Sequence, residues 1–481
     1  MNRKLVAKVL GALLVVEGLA LLLPALVAFF RQDGSMDAFL LTAVISLLLG
    51  IPLMLMDTAG MHMKHRDGFA CAGLGWIVLA AVGALPYVLS GTLPNYIDAL
   101  FETVSGFTTT GASVIADVEA LPAGVQFWRS LTNWMGGMGV LVMVLALLPQ
   151  LGDGSVNLMR AESPGPVLSK LVPRVADTAK ILYMIYIGLT VAETLVLWAL
   201  GMPLFDSVNH AMATIATGGF SVKNTSIAFY DSPAINWVIT AFMFLSGINF
   251  ALLYQALRGR FREAVKSEEL WLYVGVILGA IALITVDLNR EMDMAAAVAA
   301  PRAAFQAVTI VTTTGFATTD FAVWPAVSQC VLILLMLMGG CAGSTAGGMK
   351  SVRFLLLLKN ARRWLQRILH PREVHPIRVD GRSTDEETVT NTSCFFFAYM
   401  MILMVCTMII GLDHVDFLEA FSAALTSISN VGPALGILGP TSNFAALNAV
   451  SKFTMSVAML FGRLEIVPLM IVLMPSAWRR R

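Results

Sequence analysis

Charge is scarce in this chain of 481 residues, of which only 13% are Asp, Glu, Lys or Arg. A typical soluble domain carries roughly twice that proportion of charged residues. The formal net charge of +1 offers no electrostatic field for a polyanionic partner. The five cysteines show no C-x-x-C spacing, so the sequence indicates neither a disulfide framework nor a zinc site. These shortages exclude ordinary soluble enzymes, nucleic-acid-binding proteins and disordered proteins.

Apolar residues make up 57% of the chain and gather in long stretches. A membrane span needs about 20 mostly apolar residues. We therefore predict an all-α polytopic membrane protein with ten spans, the first of which is retained rather than cleaved as a signal peptide. Two of the stretches exceed one crossing, so each is expected to tilt, break or extend beyond the bilayer. The two long stretches are the eighth and the tenth. The predicted spans cover residues 5–30, 38–56, 69–90, 125–149, 179–200, 234–257, 270–286, 325–357, 391–412 and 444–475.

The distribution of lysine and arginine predicts the orientation of the chain. Most of the 32 basic residues fall in loops on one side of the predicted spans, together with both termini. Cytoplasmic loops of membrane proteins carry an excess of Lys and Arg. Basic residues that were merely scattered over the surface would be divided about equally between the two sides of the membrane. We therefore predict that both termini are cytoplasmic.

Four shorter segments lie between the spans on the predicted extracellular side, at 96–112, 203–220, 296–316 and 413–433. Each segment is moderately apolar, is too short to cross the membrane, and ends in Thr, Ser or Asn followed by Gly. They align without gaps on the triplets Thr109-Thr110-Gly111, Thr217-Gly218-Gly219, Thr313-Thr314-Gly315 and Asn430-Val431-Gly432. The alignment predicts four copies of one unit (span, short helix, loop, span) after a two-span N-terminal addition.

The residue types in these triplets suit a dehydrated cation. Such an ion must exchange its hydration shell for protein oxygens, which rings of backbone carbonyls provide in potassium channels. Glycine permits the backbone angles that turn successive carbonyls toward one axis, and threonine adds hydroxyl oxygens. In a single copy, small residues could equally serve the close packing of helices. Four copies in matched register favour the ion-binding interpretation.

A charged residue stands at one shared position before each aligned glycine, in the order Asp98, Asp206, Arg302 and Glu419. Acidic residues in the first turn of a helix stabilise that helix end. We interpret the three acids as helix-end stabilisers, and a direct role at the outer mouth is the alternative. Arg302 breaks the pattern.

The segment 339–350 is too rich in glycine for a regular helix, although it falls inside the predicted span 325–357. It is either a patch for helix packing or a mobile constriction below the third loop. Lys350 at its end is expected to extend toward the cytoplasm, with a contact to the constriction as the alternative. The candidate residues in this segment are Gly339, Gly340, Gly343, Ser344, Thr345, Gly347, Gly348 and Lys350.

Arg463 is an isolated charge in the middle of the predicted span 444–475. An unpaired charge at the centre of a membrane costs at least ~2.5 kcal/mol and usually faces a cavity. A pair with Glu465 is disfavoured, because residues two apart on a helix face different directions. We therefore expect Arg463 to face the interior of the protein.

These features together resemble the TrkH family, the potassium-translocating subunits of bacterial Trk uptake systems. The resemblance covers essentially the whole chain. It rests on the four glycine-centred triplets, the two-span addition, the segment FWRSLTNWMGGMG at 127–139 and the segment GGCAGSTAGGMK at 339–350. It implies that the triplets form a filter around a pseudo-fourfold pore, that 339–350 is an intramembrane gating loop, and that Arg463 forms part of a barrier beneath the filter. Serine replaces the first filter glycine in sodium-selective relatives, so Gly111 favours potassium.

The resemblance also implies the organisation and partners of the protein. It places an N-terminal addition at 1–68 and pore repeats at 69–178, 179–268, 269–390 and 391–481. It implies K⁺ as the transported and filter-bound ion, no organic cofactor, a bacterial inner-membrane location and a homodimer. A cytosolic, nucleotide-binding TrkA-like subunit would dock on the basic stretch 350–390, which the sequence alone also allows to face solvent or lipid. Membrane lipids are expected as partners, and nucleic acid is not.

A secondary cation transporter, coupled to Na⁺ or H⁺, is the alternative function for the same fold. Repeats that run in the same direction argue against it, because inverted repeats would place alternate loops on opposite sides. An enzyme is not indicated, since no H-E-x-x-H or G-x-S-x-G motif occurs.

We predict that Gly111→Ser loosens the discrimination between K⁺ and Na⁺. The reason is that a β-carbon resists the backbone angles that a filter carbonyl requires. Cation permeability ratios in proteoliposomes measure the effect, with protein yield as the control because the change is local. An unchanged ratio would contradict the role assigned to this loop.

Overall fold

The structure is a computed structural model that describes residues 2–58, 61, 63–139, 175–373 and 375–478. The described chain is predominantly helical. Its N-terminal part contains helices α1 (Arg3–Ala20), α2 (Leu22–Arg31), α3 (Met36–Met54), α4 (His65–Gly83), α5 (Leu85–Leu89), α6 (Tyr96–Phe107) and α7 (Ala123–Gly137). The middle part contains α8 (Val175–Ala199), α9 (Leu204–Ile215), α10 (Pro233–Ser246), α11 (Phe250–Leu257), α12 (Phe261–Ala264), α13 (Glu268–Glu291), α14 (Ala296–Val311) and α15 (Ala326–Met338).

The C-terminal part combines helices with one small hairpin. Its elements are α16 (Ser351–Leu369), β1 (Arg378–Val379), β2 (Arg382–Ser383), α17 (Glu386–Ile410), α18 (Phe417–Ser429), α19 (Ala449–Arg463), α20 (Val467–Leu473) and α21 (Pro475–Trp478). The two strands are antiparallel, with Arg378 opposite Ser383. Short 3₁₀ turns occupy Ser226–Tyr230, Phe321–Val323, Gly411–Asp413 and Gly436–Leu438.

Within the described residues, six helical stretches are long and apolar enough to cross a membrane, and a seventh is added if α10 and α11 form one bent span. The expected break in 325–357 is present, since α15 ends at Met338 and α16 begins at Ser351. A second break separates α19 from α20 inside 444–475. The stretch 234–257 differs from a straight span, because α10 and α11 meet at 102°. Residues 140–149 of the predicted span 125–149 lie outside the described part, and the count of ten spans stays a prediction.

Local sequence sets where the short helices begin. The Asn95 side chain accepts a hydrogen bond from the Ile97 N–H and caps α6. Asp416 and Glu419 form a capping box at the start of α18. These caps satisfy backbone donors that would otherwise be unpaired at membrane depth.

The short helices α6, α9, α14 and α18 occupy matching positions in the molecule. Each packs against the long helix that precedes it in the chain: α4, α8, α13 and α17 respectively. Each also lies between two other helices: α6 between α19 and α7, α9 between α7 and α10, α14 between α10 and α15, and α18 between α15 and α19. Because α19 contacts both α18 and α6, the succession of packed helices closes into a ring.

The first helices lie outside this ring. α1 packs on α3 and α4, and α2 packs on α7. At the other end of the chain, α20 packs on α4. The hairpin β1–β2 is attached to α16 and α17 by a small apolar cluster of Leu356, Ile377 and Val389.

Candidate functional site

Each short helix ends in a loop of unusual backbone conformation. We call these the glycine loops, at residues 108–113, 216–221, 312–317 and 429–434. The second residue of each has a positive φ, at 55° for Thr109, 54° for Thr217, 58° for Thr313 and 55° for Asn430. The aligned glycines follow at 80° for Gly111, 70° for Gly219, 82° for Gly315 and 110° for Gly432. Left-handed threonines are uncommon, so their recurrence in register shows that the surrounding structure imposes this shape.

The four glycine loops contact one another in a closed ring. A β-carbon added to an aligned glycine would approach a backbone carbonyl oxygen of a neighbouring loop to less than 3.0 Å. The oxygen belongs to Gly218 for Gly111, to Thr314 for Gly219, to Val431 for Gly315 and to Thr110 for Gly432. Only glycine fits such a close approach at these backbone angles. Residues far apart in the chain are thus brought together around one centre.

Threonine hydroxyls support the loops from within. Thr108 Oγ1 lies 2.8 Å from Thr110 Oγ1, and Thr312 Oγ1 lies 2.9 Å from Thr314 Oγ1. Asn430 Nδ2 of the fourth loop donates to Thr110 Oγ1 of the neighbouring first loop at 3.0 Å. The buried Thr109 hydroxyl has no hydrogen-bond partner among the described residues. An occupant that offers positive charge would satisfy this oxygen.

The two faces of the ring differ. On one side, the aligned glycines line a cavity of about 160 Å³ together with Arg129 and residues 439–444. On the other side, the segment 339–350 lies against the loops: the Gly347 N–H donates to Thr313 Oγ1 at 2.6 Å. A β-carbon on Gly347 would also meet the Ser429 carbonyl oxygen.

Side chains of the short helices brace the first two glycine loops. Glu102 accepts hydrogen bonds from Ser113 Oγ and the Val114 N–H, both at 3.0 Å, and pairs with Arg129 at 2.8 Å. Arg129 also donates to the Ser221 carbonyl of the next loop at 3.1 Å. This buried pair therefore joins two neighbouring loops.

His210 takes the corresponding place on α9. Its Nδ1 lies 2.8 Å from the Asp206 carbonyl oxygen, so Nδ1 donates. Nε2 then accepts from Ser221 Oγ at 2.9 Å. Gln306 is the equivalent residue of α14, and its amide has no partner among the described residues. On α18, Ser422 Oγ accepts from the Leu435 N–H at 3.0 Å instead.

Sequence reasoning assigned no role to Glu102 and Arg129. A signal was present, because an acid inside an apolar segment and an arginine next to the following span are costly in a membrane unless they are paired. The sequence did not show that these two side chains meet, since an irregular loop connects the end of α6 at Phe107 to the start of α7 at Ala123.

The acids at the start of the short helices have different partners in each repeat. Asp98 pairs with Lys452 of α19 at 2.8 Å, and Asp206 accepts from the Tyr230 hydroxyl at 2.8 Å. Glu419 accepts from the Asp416 and Ile437 N–H groups. The Glu419 contact with the Asp416 N–H caps its own helix, whereas Asp98 and Asp206 bind distant residues, so a helix-end role of these two stays a prediction. Arg302 is exposed, with Nη1 3.8 Å from Met294 Sδ.

The segment 339–350 forms a compact loop between α15 and α16. Gly339, Gly343 and Gly348 have φ of 70°, 71° and 73°, and Lys350 has φ of 72°. The loop is pinned to the bend between α10 and α11, since the Cys341 N–H donates to the Gly247 carbonyl at 2.9 Å and the Phe250 N–H to the Gly343 carbonyl at 3.0 Å.

Two basic side chains hold the loop in place. Arg463 donates to the Thr345 carbonyl at 2.8 Å and to the Gly136 and Gly137 carbonyls at the end of α7. Lys350 does not extend toward the cytoplasm as expected: it is buried, and its Nζ donates to the Ala346 carbonyl inside the loop. The neighbouring loop carbonyls offer this ammonium group hydrogen bonds that a lipid-facing position lacks. The disfavoured pair of Arg463 with Glu465 is also not formed there, because Glu465 pairs with Arg353 at 2.5 Å.

The chemistry available at the ring is therefore that of oxygens from backbone and hydroxyl groups. Among the described residues, no group of three or more His, Cys, Asp and Glu side chains is placed to hold a metal ion. Carbonyl and hydroxyl oxygens are the ligands that replace the hydration shell of a monovalent cation.

Comparison with known proteins identifies the family of the chain. A sequence profile of the TrkH family, described as a cation transport protein, matches residues 35–479. The Trk system potassium uptake protein TrkH is 39% identical in Salmonella typhimurium and 38% identical in Escherichia coli K12, and both alignments cover 100% of each chain. The crystal structure of the potassium transporter TrkH from Vibrio parahaemolyticus matches with a TM-score of 0.89 at 36% identity, again over 100% of both chains.

The several apolar helices and the full-length matches define a membrane transport protein, a class that is not enzymatic. The chain belongs to the TrkH family of cation transport proteins.

We predict that Glu102→Gln destabilises the protein far more than Gln306→Leu. Glu102→Gln leaves the Arg129 charge buried without its counter-ion, which typically costs about 3–5 kcal/mol. Gln306→Leu removes an amide that has no partner in the described structure. We therefore expect it to stabilise the protein or to lower the free energy of unfolding by at most about 1 kcal/mol. Thermal unfolding of the two purified variants in detergent measures the difference. Equal loss in both variants would contradict the bracing role of Glu102.

Proposed function

We propose that this protein carries out K⁺-selective uptake across the bacterial inner membrane through a pore lined by the glycine loops. The observation that carries the proposal is the closed ring, in which the carbonyl oxygens of Thr110, Gly218, Thr314 and Val431 lie against neighbouring glycines. The names of the relatives support it, since proteins 38–39% identical over their full length are potassium uptake proteins.

The ring suits a cation for two electrostatic reasons. Backbone carbonyls and the Thr109 hydroxyl supply oxygens without formal charge, so an ion can enter and leave. The four short helices also end at the ring, and the C-terminal end of a helix carries a partial negative charge. The filter residues in this proposal are Thr109, Thr110, Gly111, Thr217, Gly218, Gly219, Thr313, Thr314, Gly315, Asn430, Val431 and Gly432.

The proposed architecture is a ten-span chain with four pore repeats around a pseudo-fourfold axis and both termini in the cytoplasm. The matched packing of α6, α9, α14 and α18 supports the repeats. The proposed partners are a second copy of this chain and a cytosolic TrkA-like subunit. Exposed arginines on and after α16 support a docking surface for an acidic face of that subunit: Arg362, Arg367, Arg372, Arg378 and Arg382.

We infer that the segment 339–350 is the gate. It lies directly against Thr313 on the face of the ring opposite the cavity, where a closed loop obstructs the path of an ion. Arg463 acts with it, through its hydrogen bond to Thr345 and through its charge. At about 6 Å and an effective dielectric constant of about 20, a guanidinium repels a monovalent cation by roughly 3 kcal/mol.

Flux of K⁺ into proteoliposomes tests the function. We expect K⁺ uptake that follows the membrane potential, exceeds Na⁺ uptake and persists without a pH gradient or a Na⁺ gradient. Uptake that requires either gradient would favour the secondary transporter, and equal Na⁺ and K⁺ uptake would contradict the filter.

We predict that Arg463→Ala raises K⁺ flux in the absence of a cytosolic partner, by up to about a hundredfold if the whole repulsion is removed. Arg463→Lys is the matched variant, because it keeps the charge but cannot donate to several carbonyls at once in the planar manner of arginine. Low flux in the lysine variant would assign the barrier to charge, and high flux would assign it to the hydrogen bonds. A fall in flux of a normally folded Arg463→Ala protein would show that Arg463 is a structural tether, and the gate would lie elsewhere.

A further inference from the structure

The gate begins and ends beside one acidic side chain. Glu269 lies in the first turn of α13 and is buried, with 7% of its surface exposed. Its Oε1 accepts a hydrogen bond from the Ala342 N–H at 2.7 Å and another from the Val352 N–H at 3.1 Å. Ala342 stands near the start of the segment 339–350, and Val352 stands just after its end. One carboxylate oxygen therefore joins the two ends of the loop.

The start of α16 requires such an acceptor. The first N–H groups of a helix have no partner inside the helix, and a side-chain oxygen at the N-cap usually satisfies them. The N-cap residue of α16 is Lys350, whose ammonium group can only donate. Glu269 supplies the missing acceptor from another helix, and the position of α16 thereby becomes linked to that of α13.

We propose that Glu269 is a positioning residue that latches the segment 339–350 in its closed form, an inference that rests on its proposed function as the gate. Both N–H groups share the same Glu269 oxygen as their acceptor, so the two loop ends depend on one side chain. Movement of either loop end away from α13 removes a donor and leaves a buried acceptor oxygen undersatisfied, which opposes opening. Arg463 and Thr313 hold the middle of the loop, whereas Glu269 holds its ends.

The adjacent Glu268 provides a matched control. It lies in the same helical turn and is more exposed, and its carboxylate pairs with Lys359 in the middle of α16. Loss of Glu268 thus removes an acid and a contact between α13 and α16 while the hydrogen bonds to Ala342 and Val352 remain.

Cys341 reports on the loop independently of transport. It is fully buried next to Ala342. In a full-length background with Cys71, Cys330, Cys394 and Cys406 replaced by alanine, the rate of its modification by N-ethylmaleimide is followed by intact-protein mass spectrometry. We expect Glu269→Ala to raise that rate at least about tenfold, because both hydrogen bonds to the loop ends are lost. Glu269→Gln keeps one acceptor oxygen and should give a smaller rise, and Glu268→Gln should match the parent.

A parent-like rate in folded Glu269→Ala, or an equal rise in Glu268→Gln, would overturn the latch. If Glu269→Ala does not fold, Glu269→Gln decides in the same way: a rise supports the latch and no rise overturns it. K⁺ flux of the same proteins is measured in parallel and should rise with the labelling rate. Absence of K⁺ flux from every variant would contradict the proposed function, while the labelling rates would still judge the latch.

Discussion

The close approach of four loops around one centre is the constraint on which the remaining structure depends. Each aligned glycine lies against a carbonyl oxygen of a neighbouring loop, so the ring closes only if all four backbones keep a conformation that side chains disfavour. Isolated loops would not hold this shape. The short helices between pairs of packed helices, and the braces from Glu102 and His210, supply the rigidity.

Breaks in helices are the second organising feature, because each one exposes backbone groups that a membrane cannot solvate. Backbone groups at the bend between α10 and α11 form hydrogen bonds with backbone groups in the loop between α15 and α16. The Cys341 N–H and the Gly343 carbonyl of this loop both bond to the bend. A basic side chain also donates hydrogen bonds to exposed backbone carbonyls: Arg463 donates to carbonyls from two separate parts of the chain. Irregular backbone and buried charge therefore occur together because each stabilises the other.

The four glycine loops are alike in backbone but differ in support. The first two are braced by a titratable side chain and a serine, Ser422 binds Leu435 just after the fourth loop, and Gln306 makes no such contact among the described residues. The third loop instead contacts Gly347 of the segment 339–350. The loop with the weakest bracing by its own short helix thus accepts a hydrogen bond from the proposed gate, and a movement of that segment changes a hydrogen bond of the ring directly.

The sequence by itself determined the membrane class, the approximate limits of most long helices, the four short helices and the register of the four triplets. It could do so because hydrophobic length and glycine spacing are local properties. It also indicated the break inside 325–357, since five glycines in twelve residues are incompatible with a helix. The sequence did not predict the bend at 246–250, because the residues on either side of it are apolar and the bend itself contains only one glycine.

Only the tertiary structure decided which side chains meet. Lys350 was expected near the cytoplasm, and its burial depends on carbonyls of a loop whose shape no local pattern specifies. The pairs Glu102–Arg129, Asp98–Lys452 and Arg353–Glu465 join residues from separate parts of the chain, as do the contacts of Glu269 with both loop ends. Charge, burial and spacing along the chain show that such groups need partners, but the identity of each partner follows from helix packing. That packing depends on contacts between residues far apart in the sequence, so no local sequence pattern specifies it.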